Sequence, residues 1–209
     1  MDVVLSIADD SHLKFTGEIC EMMTEAAKAR GTGIAERTSE YLQHKIHQGK
    51  AVIALSGSQL AGFCYIETWG HEQYVANSGL IVHPTFRRTG LAKKIKKKIF
   101  ELSKLRYPHA KIFGITTSLA VMKINSELGY KPVTFSELTT DGSFWKGCKS
   151  CQNFDILQRT NQHHCLCTGM LYDPEKKRSV KQTNGNGKRW ERFKNFLKRN
   201  SLKKNNDEK

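Results

Sequence analysis

No stretch of the sequence approaches the ~18 consecutive apolar residues that a membrane helix needs, so no segment reads as a span. The first residues, among them Asp2, Asp9 and Asp10, lack both the basic start and the apolar run of a secretory signal. The cytosol is therefore the expected compartment. No internal repeat is found. A cation excess is also missing from most of the chain, although the net charge of +14 is of the size seen in nucleic-acid binders. Met1 to Pro174 carry 21 Lys and Arg against 16 Asp and Glu, whereas the last 35 residues carry 13 against 4. The excess sits in a terminal tail, and the body is only mildly basic, as suits an enzyme for anionic ligands. What is present is ordinary for a globular protein: 38% apolar and 26% charged residues. The length of 209 residues accommodates one well-buried domain plus a small appendage.

Periodicity orders the chain. Val3–Ile7 alternates as a first strand, and His12–Ala29 places Phe15, Ile19, Met22, Met23 and Ala26 at helical spacing. Arg30-Gly31-Thr32-Gly33 breaks that helix, and Thr38 or Ser39 caps a second one that ends at Gly49. Ala51–Leu55 and Leu60–Thr68 read as a hairpin around Gly57-Ser58, followed by a strand over Tyr74–Val82 that Pro84 stops. The clearest helix carries Leu91, Ile95, Ile99, Leu102 and Leu105 on one stripe, with Lys93, Lys94, Lys96, Lys97 and Lys98 largely off it. Lys111–Thr116 is a strand, Ser118 opens a helix ending at Gly129, and Pro132–Leu138 is extended. The order β-α-α-β-β-β-α-β-α-β predicts a mixed α/β layer rather than repeated βαβ units.

The turn between Val82 and the Lys-rich helix concentrates chemistry. Gly90 and Ala92 allow close approach of backbone to a ligand, and the opening helix turn presents unpaired N–H groups at the positive end of the helix dipole. Arg87, Arg88 and Lys93 surround the same point. The pattern Leu80-x-Val82-x-Pro84-x-x-Arg87-x-x-Gly90-x-Ala92 resembles the acyl-CoA signature of the GNAT superfamily of N-acyltransferases, and Leu128-Gly129-Tyr130 resembles the Leu-Gly-Phe that closes a later helix there. The likeness runs from Met1 to about Leu138. It implies a mostly antiparallel mixed sheet flanked by helices, an acyl-CoA cosubstrate such as acetyl-CoA, and an amine acceptor.

By position, the resemblance implies that the backbone from Arg88 through Thr89, Gly90, Leu91 and Ala92 to Lys93 holds the CoA pyrophosphate, with Arg87 and Lys97 steering phosphates. Leu80 and Val82 would run beside the pantetheine arm, and the Leu80 N–H would face the thioester carbonyl, where an oriented donor is worth ~3 kcal/mol of barrier. The amine must lose a proton, and Glu67 is the first candidate base, with His71 and Glu72 behind it. Asn125 falls where many family members have the tyrosine that protonates the CoA thiolate. Asn cannot donate a proton usefully, so that proton would come from water or from elsewhere.

In the family the loop between the first two helices shapes the acceptor pocket. Here Arg30 and Arg37 flank it, an arrangement suited to gripping a carboxylate. The text around Arg30–Arg37, Phe63–His71 and Trp145–Cys151 also resembles a bacterial group described as N-acetylglutamate synthase-like and associated with arginine biosynthesis. That favours glutamate or a similar amino acid as acceptor, with acetyl- or succinyl-CoA as donor. A protein or peptide N-acetyltransferase of the same fold is the alternative. A non-enzymatic nucleic-acid-binding module is a third reading, against which the weakly charged body speaks.

Cys20 and Cys64 are isolated in apolar text and read as core residues. Cys148, Cys151, Cys165 and Cys167 fall within 20 residues and supply two tight pairs, the pattern of a four-thiolate structural zinc site. The expected organisation is an acyltransferase domain over 1–142, a zinc-ribbon-like appendage over 143–174 and a basic, disordered tail over 175–209. In the tail, Trp190, Phe193 and Leu197 share a helical face amid cations, which suits RNA, an acidic surface or anionic lipid.

Overall fold

The computed structural model describes residues 2–30 and 37–176. Met1–Asp173 forms one compact unit and Pro174–Lys209 a second. The tail helix expected around Trp190 lies outside the described residues.

Strand β1 (Val4–Ile7) leads into a 3-10 turn over Asp10–Phe15. Asp9 caps this turn, its carboxylate accepting from the Ser11 N–H at 3.0 Å. Helix α1 (Thr16–Arg30) continues from it, and α2 (Ser39–His47) begins where the Thr38 hydroxyl accepts from the Tyr41 N–H. The hairpin β2 (Ala51–Ser56) and β3 (Gln59–Trp69) follows, then β4 (Tyr74–Val82), α3 (Leu91–Arg106), β5 (Lys111–Thr116) and α4 (Leu119–Glu127). These bounds match the periodicity closely, since each element is marked locally by its own cap or turn.

The C-terminal third departs from expectation. The extended stretch after Pro132 is a short β6 (Lys131–Val133) and then a 3-10 turn over Phe135–Glu137. Two short helices, α5 (Gly142–Lys146) and α6 (Phe154–Arg159), precede β7 (Thr168–Tyr172). That last strand enters the main sheet between β5 and β6, in the order β1-β2-β3-β4-β5-β7-β6. Residues 143–167 are thus an excursion between two strands of one sheet, not an appendage beyond it. The boundary expected after residue 142 falls inside the compact unit.

Both sheet faces are covered, so the central strands are buried on both sides. Phe63 and Tyr65 of β3 pack with Ile19 and Met23 of α1 and Leu42 and Ile46 of α2. Cys64 and Ile66 of the same strand pack with Leu91, Ile95 and Ile99 of α3. Cys64 is fully buried and behaves as the core residue expected of it. Two positions on α3 differ from the predicted stripe: Leu105 is exposed, and Lys96 is buried.

One irregularity positions the site. Between Phe63↔Ile81 and Tyr65↔Ser78, Cys64 of β3 faces two residues of β4, Gly79 and Leu80. This is a β-bulge, and Gly79 adopts φ +64° to make it. A Cβ at Gly79 would overlap the Tyr65 ring and lie 2.7 Å from Met23 Cε, both in the closed core. Gly79→Ala is therefore expected to destabilise the fold by ~3 kcal/mol, summing positive-φ strain and overpacking. Denaturant melting checks this; an unchanged midpoint would contradict it.

Candidate active site

Beyond Val82 the chain makes a 3-10 turn over Pro84–Phe86, and Arg87 Nε donates back to the Val82 carbonyl at 3.2 Å. Arg88 takes φ +65° and Gly90 φ +80°, the latter as the N-cap of α3. The N–H groups of Lys93 and Lys94 both donate to the Gly90 carbonyl and close the first turn. Those of Arg88, Thr89, Gly90, Leu91 and Ala92 have no backbone partner among the described residues. The loop is exposed, and a Cβ at Gly90 would meet nothing within 4 Å. Unpaired donors, a helix N-terminus and three flanking cations make an anion cradle. Lys93 also pairs with Glu127 at 2.7 Å on the surface. Lys97 lies 4.0 Å from Glu101.

β4 leads from this cradle into the interior. It runs parallel to β5, but their ladder spans only Tyr74↔Lys111, Val75↔Ile112 and Ala76↔Phe113. From Asn77 onward β4 keeps only its pairing with β3, and beyond Phe113 β5 keeps only its pairing with β7. The two strands therefore part after Ala76, and a cavity of about 430 Å³ occupies this region. Ser78, Gly79 and Leu80 of β4 line it together with Gly114–Thr116 of β5.

Glu67 lines the same cavity from β3 and is only 6% exposed. Its carboxylate accepts from the Tyr41 hydroxyl, from Ser78 Oγ at 3.1 Å and from Arg37 Nη2 at 3.4 Å. Burial pushes the Glu67 carboxyl above its ordinary range, and Arg37 and Ser78 pull it back only in part. A buried carboxylate held by three donors yet raised in pKa suits a general base. Arg37 also donates to Tyr65 Oη at 2.8 Å and stacks over the Tyr41 ring at 5.0 Å, so its guanidinium is fixed beside Glu67.

A second polar group lies where the strands part. Lys96 of α3 is 2% exposed, and its Nζ donates to the Asn77 carbonyl at 3.1 Å. Asn77 also donates to Ser103 Oγ at 2.7 Å and accepts from the Tyr130 hydroxyl at 3.0 Å. Asn125 of α4 is 1% exposed, and its Oδ1 is buried with no hydrogen-bond partner. Both Lys96 and Asn125 line the cavity.

The sequence model of the acetyltransferase (GNAT) family matches residues 17–119. Residues 17–119 belong to the GNAT family. No curated protein matches the chain by sequence. Among solved structures, N-acetylglutamate synthase from Neisseria gonorrhoeae, complexed with coenzyme A and N-acetyl-glutamate, superposes with TM-score 0.59 at 15% identity, covering 83% of this chain and 35% of that one. The chain thus spans about a third of that synthase. Diaminobutyrate acetyltransferase from Paenibacillus lautus, in complex with L-2,4-diaminobutyric acid and coenzyme A, gives TM-score 0.55 at 11% identity, covering 83% and 95%. Ribosomal-protein-S18-alanine N-acetyltransferase from Escherichia coli gives TM-score 0.51 at 11% identity, covering 82% and 94%. At these identities the likeness establishes the fold.

The structure brings Glu67, Leu80, Asn125 and Arg37 to one cavity. His71 and Glu72 are exposed and do not line it. Arg30 ends α1, but its side chain and residues 31–36 lie outside the described residues, so the expected acceptor loop is represented by Arg37 alone. Among the described residues no group of three or more His, Cys, Asp or Glu side chains is placed to hold a metal, which leaves the expected zinc-ribbon unsupported. Cys148, Cys165 and Cys167 instead pack against the apolar cluster of Phe113, Trp145 and Leu157, and all four cysteines are free. Burial first, then the neighbouring thiols, pushes Cys148 up to about 11 and Cys167 up to about 12. Cys148, Cys151, Cys165 and Cys167 serve as small wall residues of the cavity. No helix among the described residues is long and apolar enough to cross a membrane.

Proposed function

We propose that the chain is an acyl-CoA-dependent N-acyltransferase that moves an acetyl or succinyl group to the α-amine of glutamate or a similar amino acid. The observation that carries the first half is the continuity from the unpaired N–H groups of Arg88–Ala92, along the free edge of β4, to the cavity holding Glu67. In this reading the cradle binds pyrophosphate, with Arg87, Arg88 and Lys93 around it. Leu80 and Val82 lie along the pantetheine, and the Leu80 N–H supports the charge that develops on the thioester oxygen. Glu67 takes the proton from the attacking amine, and Asn125 lines the thiol end.

The choice of acceptor rests on Arg37, a cation fixed in the cavity wall, and on the resemblance to the N-acetylglutamate synthase-like group. A place in arginine biosynthesis is the context this implies. Arg30 belongs to the same proposal. Thiol release with acetyl- and succinyl-CoA across amino acids and amines tests it. Glutamate is expected to react fastest, and faster turnover of spermidine or a lysine peptide would overturn the acceptor. Arg37→Ala is expected to lower kcat/KM for glutamate by ~10- to 100-fold, the loss of a charge-assisted hydrogen bond of ~1.5–3 kcal/mol. CoA affinity should hardly change, because the cradle lies on other elements. An equal loss for an amine without a carboxylate would assign Arg37 to holding Glu67 instead.

A further inference from the structure

We infer that Lys96 is the catalytic acid that protonates the departing CoA thiolate, the role for which position 125 offers only an asparagine. The inference rests on the acyltransferase reading. A pantetheine arm that starts at the Arg88–Ala92 cradle and follows β4 past Val82 and Leu80 travels towards Asn77. It can go no further than Ala76, where the β4–β5 ladder closes. The sulfur therefore ends beside Asn77, the residue whose carbonyl receives Lys96 Nζ.

Lys96 is unusual for a structural residue. It is a buried cation with no carboxylate partner among the described residues. Isolated buried charge is costly, and lysines are seldom buried without a counter-ion. One of its three N–H donors goes to Asn77, and the Tyr130 ring lies 5.8 Å away. A thiolate generated at the closed end of the cavity would supply the missing anion. Asn125 Oδ1, buried and unpartnered in the same cavity, could then accept from the new S–H group.

Atoms and charges balance. The amine nitrogen bonds to the acyl carbon, the carbon–sulfur bond breaks with its electron pair on sulfur, and that sulfur takes a proton from the Lys96 ammonium. Glu67 holds the proton lost by the amine and releases it to solvent after product leaves, when the neutral Lys96 amine regains one. Burial lowers the Lys96 pKa from its ordinary 10.5, which brings the ammonium towards a leaving thiolate in acidity. The other titratable groups facing it are Cys64 on β3, pushed up to about 11, and Tyr130 after α4, raised well above its ordinary value. Neither is an acid at neutral pH.

The test uses the full chain and Lys96→Met, which keeps length and removes the proton. Calorimetry with CoA should give equal affinity in both proteins. The variant's kcat should fall about 100-fold with the acyl-CoA KM unchanged, and its pH profile should lose the decline at high pH that an acid must show. Ultraviolet titration of the thiol in the CoA complex should find it more acidic than free CoA in the wild type, but not in the variant. Unchanged kcat, or a bound thiol that titrates alike in both proteins, would overturn the role. If the variant does not fold, a wild-type bound thiol that titrates like free CoA is enough to overturn it. A wild-type chain that fails to bind CoA would overturn the acyltransferase reading instead.

Discussion

Glu67→Gln should lower kcat by about 1,000-fold, within the range for loss of a general base, while leaving CoA affinity intact. The substitution is nearly isosteric: the amide oxygen still accepts from the Tyr41 hydroxyl, and the amide N–H can donate to Ser78 Oγ in place of the bond it gave. It removes the buried carboxylate of the cavity wall, which burial holds above its ordinary pKa. A base works ionised, so kcat/KM of the wild type should fall as pH drops through the Glu67 pKa, above the ordinary 4.5. The sign follows from burial outweighing the Arg37 charge 3.4 Å away. In the Gln variant that acid limb should vanish. Steady-state kinetics across pH measure both effects; a variant within threefold of wild type, or an acid limb that survives the substitution, would move the base elsewhere.

What could be read from the sequence was what is encoded locally. The strand ending at Val82, the turn over Arg87–Ala92 and the amphipathic α3 each announce themselves within a few residues. So do the Thr38 cap and the hairpin turn at Gly57. Glu67 could be picked out because it sits near the end of a long strand in the central hairpin. Its partners could not, because Arg37 and Tyr41 at the start of α2 and Ser78 on β4 reach it only through packing.

β7 was illegible for the same reason. Thr168–Tyr172 is short, and it becomes a strand by filling the place between β5 and β6. The four nearby cysteines drew attention to a metal, whereas Cys148, Cys165 and Cys167 pack against an apolar cluster. Lys96 was hidden in a run of lysines. Yet Lys96 and Ser103 lie two helical turns apart, on the side of α3 that carries Ile99, and both are buried. Two polar residues at helical spacing within an apolar face are the signal that could have revealed it.

The central claim is that the turn at Arg88–Ala92 binds CoA, and Gly90→Glu tests it cleanly. A Cβ there meets nothing within 4 Å, so the side chain fits without a clash. The φ of +80° adds strain of ~1 kcal/mol, which a protein stable by ~5–15 kcal/mol tolerates. The carboxylate, however, would project where the unpaired N–H groups gather an anion, and would compete with pyrophosphate for the same donors. Isothermal calorimetry of CoA against both proteins decides the matter. The expected result is a measurable affinity for the wild-type chain, weakened at least ~100-fold in Gly90→Glu, equal to ~3 kcal/mol. Equal affinity in the two proteins, or no binding to the wild type, would contradict the account.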